Sequence, residues 1–454
     1  MAGTSRDLTT GPVWRELFAM SAPMTVGILA VLSVGLADAY FLGRLGGAPL
    51  AAVGFIYPVT AAVTSLSIGL SAGANALVSQ GLGRGESEAK AARMAYHAVA
   101  IGLVLSVLAA AVFFFAYPAL FRLLGANDDV AAEIAQFMPW WCASFPFLVV
   151  MMLILAIFRA HGDAKVAATL MVISAVINVG LDPVLIYGLG PIPEMGTEGA
   201  ALATFAARAS ICAAAVFWGL KSGFFVLCEK PLKDLSSSAR KLAKVGGPAA
   251  FSNAINPAGM AAVTAAVAVV GEAAVGGFGA ATRIQQLVLV PMLALSSGIG
   301  PVVGQNWGAE EPARAAKALQ AAMVFCLGYG LLMGAVLFTF ADPLAGLIAS
   351  GGEAAGYGAT YLRIVGWSLF GYGFVVVANA AMNARDKAEW SMALSLGRIF
   401  ALYLPGAWLG VTLLGFQGIT FAAVAANLGA AAVAVWMGWK TELFRPERLR
   451  ATFA

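Results

Sequence analysis

Asn178 and Asp182 stand four residues apart in INVGLDPVLIYG, a run that is otherwise hydrocarbon, and Asp38 stands in a second such run, SVGLADAYFLG. On a helix, residues i and i+4 lie one turn apart on one face, so the amide of Asn178 and the carboxylate of Asp182 point the same way. Pro183 has no N–H to give the carbonyl of Val179, which leaves that oxygen free to accept or to coordinate. Thr204, in EGAALAT, adds a hydroxyl. Two carboxylates, an amide oxygen, a hydroxyl and a free carbonyl are hard oxygen donors suited to Na⁺ or to a shared proton. Burial and a neighbouring like charge both favour the neutral form of a carboxyl group, so such a set can load and release a cation near physiological pH. The plainer alternative is that the two acids only cap or cross-link helices.

The elements that must position these groups are membrane helices. Of 454 residues 61% are hydrophobic and 11% charged, and the mean hydropathy is +0.86, outside the range of soluble globular chains. The apolar runs are long enough for spans of about 20 residues, without the alternation an outer-membrane barrel needs. The fold class is all-α and polytopic, with twelve spans from 17–42 to 416–440. The first apolar run, from Leu17, reads as a retained span, since no small-residue cleavage pattern precedes the next helix. A carboxylate at the bilayer centre costs about 2.5–3.5 kcal/mol on insertion scales, which makes Asp38 and Asp182, the two acids expected inside spans, functional by default.

Of the 27 Lys and Arg residues, only Arg44, Arg122, Arg283 and Arg363 fall on the side opposite the termini, and Arg208 and Arg398 fall within spans. This asymmetry sets both termini in the cytoplasm and explains the net charge of +4 as orientation, not nucleic-acid binding. The chain also repeats itself. Gly54 and Gly279, Ser71 and Ser296, Gly73 and Gly298, Gln80 and Gln305, and Gly83 and Gly308 all share the separation of Pro23 and Pro248. A looser echo links FRAHGDAK, around Asp163, to MNARDKAE, around Asp386. The expected division is an N-lobe at 1–222, a cytoplasmic linker at 223–239 and a C-lobe at 240–454. Both halves begin on one side of the membrane, so they form a parallel pseudo-twofold pair of six-helix bundles with a substrate path between them. The acids belong to one half: at the repeat separation Val263 takes the place of Asp38, and Leu404 or Pro405 that of Asp182.

Other polar residues divide between cavity and scaffold. Arg208 and Arg398 either act as substrate counter-ions or snorkel and hold neighbouring helix carbonyls. Arg283, followed by Gln285 and Gln286, stands near the outer mouth or anchors at the interface. Met260, Met292, Arg283, Asn253 and Asn256 are candidates for a substrate cavity, with core packing the alternative for the methionines. Pro23 and Pro183 are candidate bending points. Cys142, Cys212, Cys228 and Cys326 have no metal spacing and read as small buried hydrophobes. GLGRG, at 81–85, follows a span instead of a β-strand and reads as a loop, not a phosphate cradle. His97 and His161 are single, and Trp140, Trp141 and Trp390 read as interfacial aromatics.

Taken together, Pro23, Asp38 in GLADAYFLG, FRAHGDAK, NVGLDPVLIYG, EGAALAT and ATRIQQL resemble the multidrug and toxic compound extrusion (MATE) family over essentially the whole chain. The resemblance implies twelve spans in two bundles around a V-shaped cavity and exchange of Na⁺ or H⁺ for organic, usually cationic, drugs. It implies that Asp38 and Asp182 are the coupling acids, completed by Asn178 and Thr204, with any bound Na⁺ held by these four residues. NAINPAGMAAVTAAVAVV carries Asn253 and Asn256 but no acid, which favours the DinF-like branch over the norfloxacin exporters and leaves a C-lobe cation site without support.

The expected function is therefore a cation-coupled antiporter of a bacterial inner membrane, working by alternating access on small organic substrates. It is expected to be a monomer in contact with lipid, with no cofactor beyond the coupling ion and no nucleic-acid partner. A lipid or lipid-linked-sugar flippase shares the two-lobe plan but calls for a strongly cationic cavity. A membrane enzyme or scaffold finds no nucleophile, metal cluster or phosphate motif in the chain.

Overall fold

The computed structural model describes residues 6–224, 232–349, 352–441 and 443. Part of the expected linker, 225–231 with Cys228 and Lys230, lies outside the described residues. Among those described there are helices and turns and no strand. The first six helices are α1 (Val13–Gly43), α2 (Gly47–Gly83), α3 (Glu88–Leu123), α4 (Asp128–Ala160), α5 (Ala164–Tyr187) and α6 (Gly196–Ser222). Two of them begin where a short polar side chain takes an orphan amide: at α4 Asn127 Oδ1 accepts from Val130 N at 2.9 Å, and at α5 Asp163 Oδ1 accepts from Val166 N at 3.0 Å.

The second series is more broken. α7 (Leu235–Ala268) and α8 (Glu272–Gly308) are continuous, and both ends of α8 follow those of α2 at the separation of Pro23 and Pro248. The span expected at 318–348 divides into α9 (Pro312–Thr339) and α10 (Ala341–Ile348), since Pro343 has no N–H to continue the ladder. The next span is α11 (Gly352–Val365), a 3₁₀ turn (Gly366–Ser368) and α12 (Leu369–Asn383). The one after it is α13 (Ala388–Leu396), a π-helical stretch (Gly397–Tyr403) and α14 (Leu404–Leu414), and α15 (Phe416–Lys440) closes the series.

Among the described residues, eleven helical segments are long and apolar enough to cross a membrane, counting Gly352–Asn383 and Ala388–Leu414 as one span each. α7 falls short of the eleven because Ser252, Asn253 and Asn256 interrupt its apolar run. Large apolar side chains stand open on the outer helix faces, Phe115 at 81% and Val112 at 70% among them. In water such faces would associate, whereas in a bilayer they meet lipid tails of the same polarity.

The chain divides into two units, one of Met1–Asp7 and Pro23–Ala250, the other of Leu8–Ala22 and Phe251–Ala454. The divisions fall inside α1 and α7, at Pro23 and just past Pro248, instead of in the polar connection. Packing gives the reason. Ser21, in the opening turns of α1, lies against Gly298 of α8, and the opening turns of α7 lie against α2, Ala250 meeting Gly69 and Leu242 meeting Gly73. In the first unit α4 is the central helix, packed on α2, α3 and α6; in the second, α8 packs on α9, α11 and α12.

Candidate functional site

The first unit brings its two acids together through helix register. The backbone of Gly27 in α1 abuts Met171 and Ala168 of α5. Asp38 follows Gly27, and Asp182 follows Met171, by the same three turns, so the faces that touch at Gly27 also carry the acids. Near the far end, Tyr187 donates to the Phe41 carbonyl at 2.8 Å and its ring meets Phe41 edge-on. The two carboxyl groups face each other within hydrogen-bonding range.

Asp182 is wholly buried and Asp38 half-buried. Among the described residues no N–H or O–H group reaches Oδ1 of Asp38 or either oxygen of Asp182. A contact between two carboxyls is a hydrogen bond only while one of them carries a proton, so the pair is built for a state holding a proton or another cation. Asn178, on the Asp182 face, donates from Nδ2 to Thr204 Oγ1 at 3.3 Å and leaves its Oδ1 buried without a partner. Four oxygens of the sequence-derived set are thus unclaimed: Asp38 Oδ1, both of Asp182 and Asn178 Oδ1.

The link to Thr204 depends on how tightly α6 approaches α5. A Cβ on Gly199 would lie 2.4 Å from the Leu185 carbonyl oxygen, so only glycine allows that approach. Arg208 joins the set in the fold. Its charge acts on Asp38, its Nη1 donates to Ser144 Oγ at 2.7 Å, and its guanidinium lies 5.9 Å from the Trp141 ring centre. The signal was present: Arg208 is four residues after Thr204, the same one-turn spacing that joins Asn178 to Asp182. Trp141 stacks on Phe145 and is 4% exposed, which makes it core, not an interfacial aromatic, because it faces Arg208 and α3.

The candidates of the second half differ in burial and partners. Met292 is wholly buried against Gly373 and Met260 is half-buried. Arg283 is exposed, and Asn253 is half-buried. Asn256 accepts from Arg398 Nη2 at 2.8 Å, so Arg398 grips an amide side chain instead of a helix carbonyl. Pro23 and Pro183 both sit inside continuous helices. Cys142, Cys212 and Cys326 are buried free thiols. The GLGRG segment ends α2, and Glu86 beyond it pairs with Arg84 at 3.0 Å and Lys90 at 3.3 Å.

Two series of long apolar helices, with two facing acids inside one of them, define a multi-pass membrane protein of the transporter class. The family model described as MatE matches residues 23–184 and 248–409, two stretches that begin at Pro23 and Pro248 and run in the same register. The chain is 34% identical over 425 residues to the FAD transporter of Shewanella oneidensis, covering 93% of each chain. It is 24% identical over 420 residues to the probable multidrug resistance protein NorM of Thermotoga maritima, covering 87% and 88%. Among solved structures it matches the Vibrio cholerae MATE transporter VcmN in the bent form with a TM-score of 0.89 and 31% identity, covering 95% and 97%. This chain belongs to the MatE family of membrane transporters.

Proposed function

We propose that the protein is a proton-coupled exporter of amphipathic organic compounds across a bacterial inner membrane, with both termini in the cytoplasm, and that Asp38 and Asp182 carry the coupling proton. The observation that carries this reading is the facing of Asp38 and the wholly buried Asp182, with no donor at Asp38 Oδ1 or at either oxygen of Asp182 among the described residues. A proton entering the pair replaces repulsion with a hydrogen bond, and its loss restores repulsion between α1 and α5. Each elementary charge moved inward gains about 2.3 kcal/mol per 100 mV of membrane potential. A ligand drives a change of state only through its different affinities for the two states, so proton and substrate must favour opposite arrangements. Neutralising the pair lets α1 bend at Pro23 and closes the N-lobe cavity, expelling substrate.

A second reading, Na⁺ as the coupling ion, is favoured by the unclaimed Asn178 Oδ1. With the carboxylates and Thr204 Oγ1 it supplies hard oxygen donors. The nearby charge of Arg208 weighs against a further fixed cation. For substrate, the relatives' names give two classes, drugs for several and FAD for the Shewanella protein. The latter's higher identity extends the expected range from cationic drugs to anionic aromatic compounds. A flippase is less supported, because Arg208 belongs to the first unit and Arg283 is exposed.

The test is purified protein in liposomes with substrate inside and an imposed pH or Na⁺ gradient, varied separately. Flux should follow the pH gradient, and Asp38→Asn or Asp182→Asn should bring it to the level of protein-free vesicles. Gradient-driven flux retained in both variants would reject the coupling role, and flux following only Na⁺ would select the second reading.

A further inference from the structure

Arg398 is a buried cation, 8% exposed, on the π-helical stretch of the second unit. Its partners are all neutral. Nη2 donates to Asn256 Oδ1 of α7 at 2.8 Å, Nη1 lies 3.5 Å from Asn427 Oδ1 of α15, and the guanidinium carbon is 4.9 Å from the ring centre of Tyr372 in α12. The hydroxyls of Tyr361 and Tyr403 complete its surroundings. Asn427 is held for this purpose, its Nδ2 donating to Ser368 Oγ at 3.0 Å. Among the described residues no acid is available to neutralise the charge. α7, α9, α12, α14, α15 and the π-helical stretch contain none, and the acids of α1, α8, α10, α11 and α13 that belong to this unit stand in first turns.

The surroundings are made to keep the guanidinium in place. A Cβ on Gly259 would come 2.2 Å from Ile399 Cγ2, so glycine lets α7 close on the residue next to Arg398 and delivers Asn256 to it. π-helical turns occur frequently at functional sites, where the extra residue re-aims a side chain. A buried charge without a counter-charge is costly, and ionisable groups at membrane depth usually mark substrate or ion pathways. If Arg398 only cross-linked helices, a neutral amide would make the same hydrogen bonds without that cost. The two amide oxygens leave other N–H groups of the fork unused, in the planar array that suits a phosphate or carboxylate, and Tyr372 lies beside it as a stacking surface.

We propose that Arg398, with Asn256 and Tyr372, forms a substrate subsite in the second unit that recognises a phosphate or carboxylate group carried on an aromatic ring system. This rests on the transport reading above but not on its coupling ion. The substrate's negative charge would cancel the charge these helices bury without a counter-ion, and its ring would take the place beside Tyr372. A purely cationic drug would be repelled from the same spot.

The test is equilibrium binding to the purified full chain in detergent, without any gradient, using riboflavin, FMN and FAD as probes that differ in phosphate and ethidium as a cationic aromatic. FMN and FAD should bind about tenfold or more tightly than riboflavin, as expected when a charge-assisted hydrogen bond is gained, and the difference should shrink in high salt. Arg398→Gln should abolish the preference for FMN and FAD over riboflavin and remove the penalty on ethidium. Arg398→Lys, which keeps the charge but not the fork, should fall between. Gel-filtration profile and thermal midpoint establish that the variants are folded, and the ligand series on the unaltered chain stands without them. Riboflavin binding as tightly as FMN, or Arg398→Gln retaining the preference for FMN, would overturn the proposal. Binding with this pattern but no gradient-driven flux would reject the coupling role of Asp38 and Asp182 and leave this subsite standing.

Discussion

The two units share a frame and oppose each other in charge. The first sets two facing carboxyls near Arg208 within its spans; in the second Arg398 stands in a span, and the acids of the described helices stand in first turns. Yet α2 and α8 keep the same length and the same register, and the family match covers the same stretch of each half. The repeated part includes packing positions such as Gly73 and Gly298, where a side chain would strike Leu242 and Ser21 and little change is tolerated. Charges sit in places where packing leaves a choice, and there the halves have diverged. On the proposed reading, one half of the repeated scaffold handles the ion and the other reads the charge of the substrate.

The largest expected effects come from breaking the acid pair. If the two carboxyls work as a unit around one cation, Asp38→Asn, Asp182→Asn and the double variant should lose gradient-driven flux to the same extent, since groups that act together are not additive. The variants should be at least as stable as the parent, because an amide can donate to the facing carboxyl and one buried charge is gone. Flux losses that multiply in the double variant would mean that the acids act separately.

The next test asks whether the second unit can be given the first unit's chemistry. Val263, the repeat counterpart of Asp38, is wholly buried. Val263→Asp would place a carboxylate among apolar atoms, at a cost of about 2.5–3.5 kcal/mol on insertion scales, and should lower the thermal midpoint without adding a cation site. A variant as stable as the parent would show a solvated or cation-ready position there and erase the contrast between units. A smaller effect is expected at Gly199. A methyl group 2.4 Å from the Leu185 carbonyl must push α6 from α5, and overpacking of this kind costs about 1–3 kcal/mol. Gly199→Ala should therefore slow flux by separating Thr204 from Asn178, while leaving Arg398-dependent binding intact.

The sequence carried most of the first unit's site because a few strong rules acted there. An acid in an apolar run is too costly to be accidental, and one-turn spacing put Asn178 beside Asp182. What it did not carry was distance between helices. The contact between Asp38 and Asp182 depends on Gly27 meeting Met171, and no local pattern tells which helix lies against which. The part of Arg208 is not legible in the sequence, because an arginine in an apolar run can equally snorkel; its charge acting on Asp38 is seen only in the fold. In the second unit the limits were sharper. The 3₁₀ turn at Gly366 and the π-helical stretch at Gly397 interrupt runs that read as single spans, and the latter aims Arg398 at Asn256. The unit boundaries inside α1 and α7 were hidden for the same reason, since polarity marks where a chain leaves the membrane and not which bundle a helix end packs on.

The smallest expected effect lies at the loops that follow the fourth span of each half. In the first, His161 stacks on Phe224 at 4.0 Å, and its Nδ1 lies 2.9 Å from the Ile157 carbonyl oxygen. In the second, Arg385 fills the corresponding loop, donating to the Thr441 carbonyl and Oγ1 at 2.9 Å each. Burial pushes the His161 pKa from 6.5 down to about 4, with the hydrogen bond to Ile157 acting the other way. As pH falls, the unfolded chain takes up this proton first, so His161 leaves stability unaffected above pH 6.5 and lowers it progressively between 6.5 and about 4. Arg385 holds a guanidinium, which stays charged throughout that window, so the added pH sensitivity belongs to the first loop. His161→Gln should reduce the loss of unfolding free energy between pH 7 and pH 5 by an amount on the order of 1–2 kcal/mol, while Arg385→Gln should lower stability equally at both. An unaltered slope in His161→Gln would mean that the buried imidazole can be protonated in place, and that the two loops do not differ in the way their residues suggest.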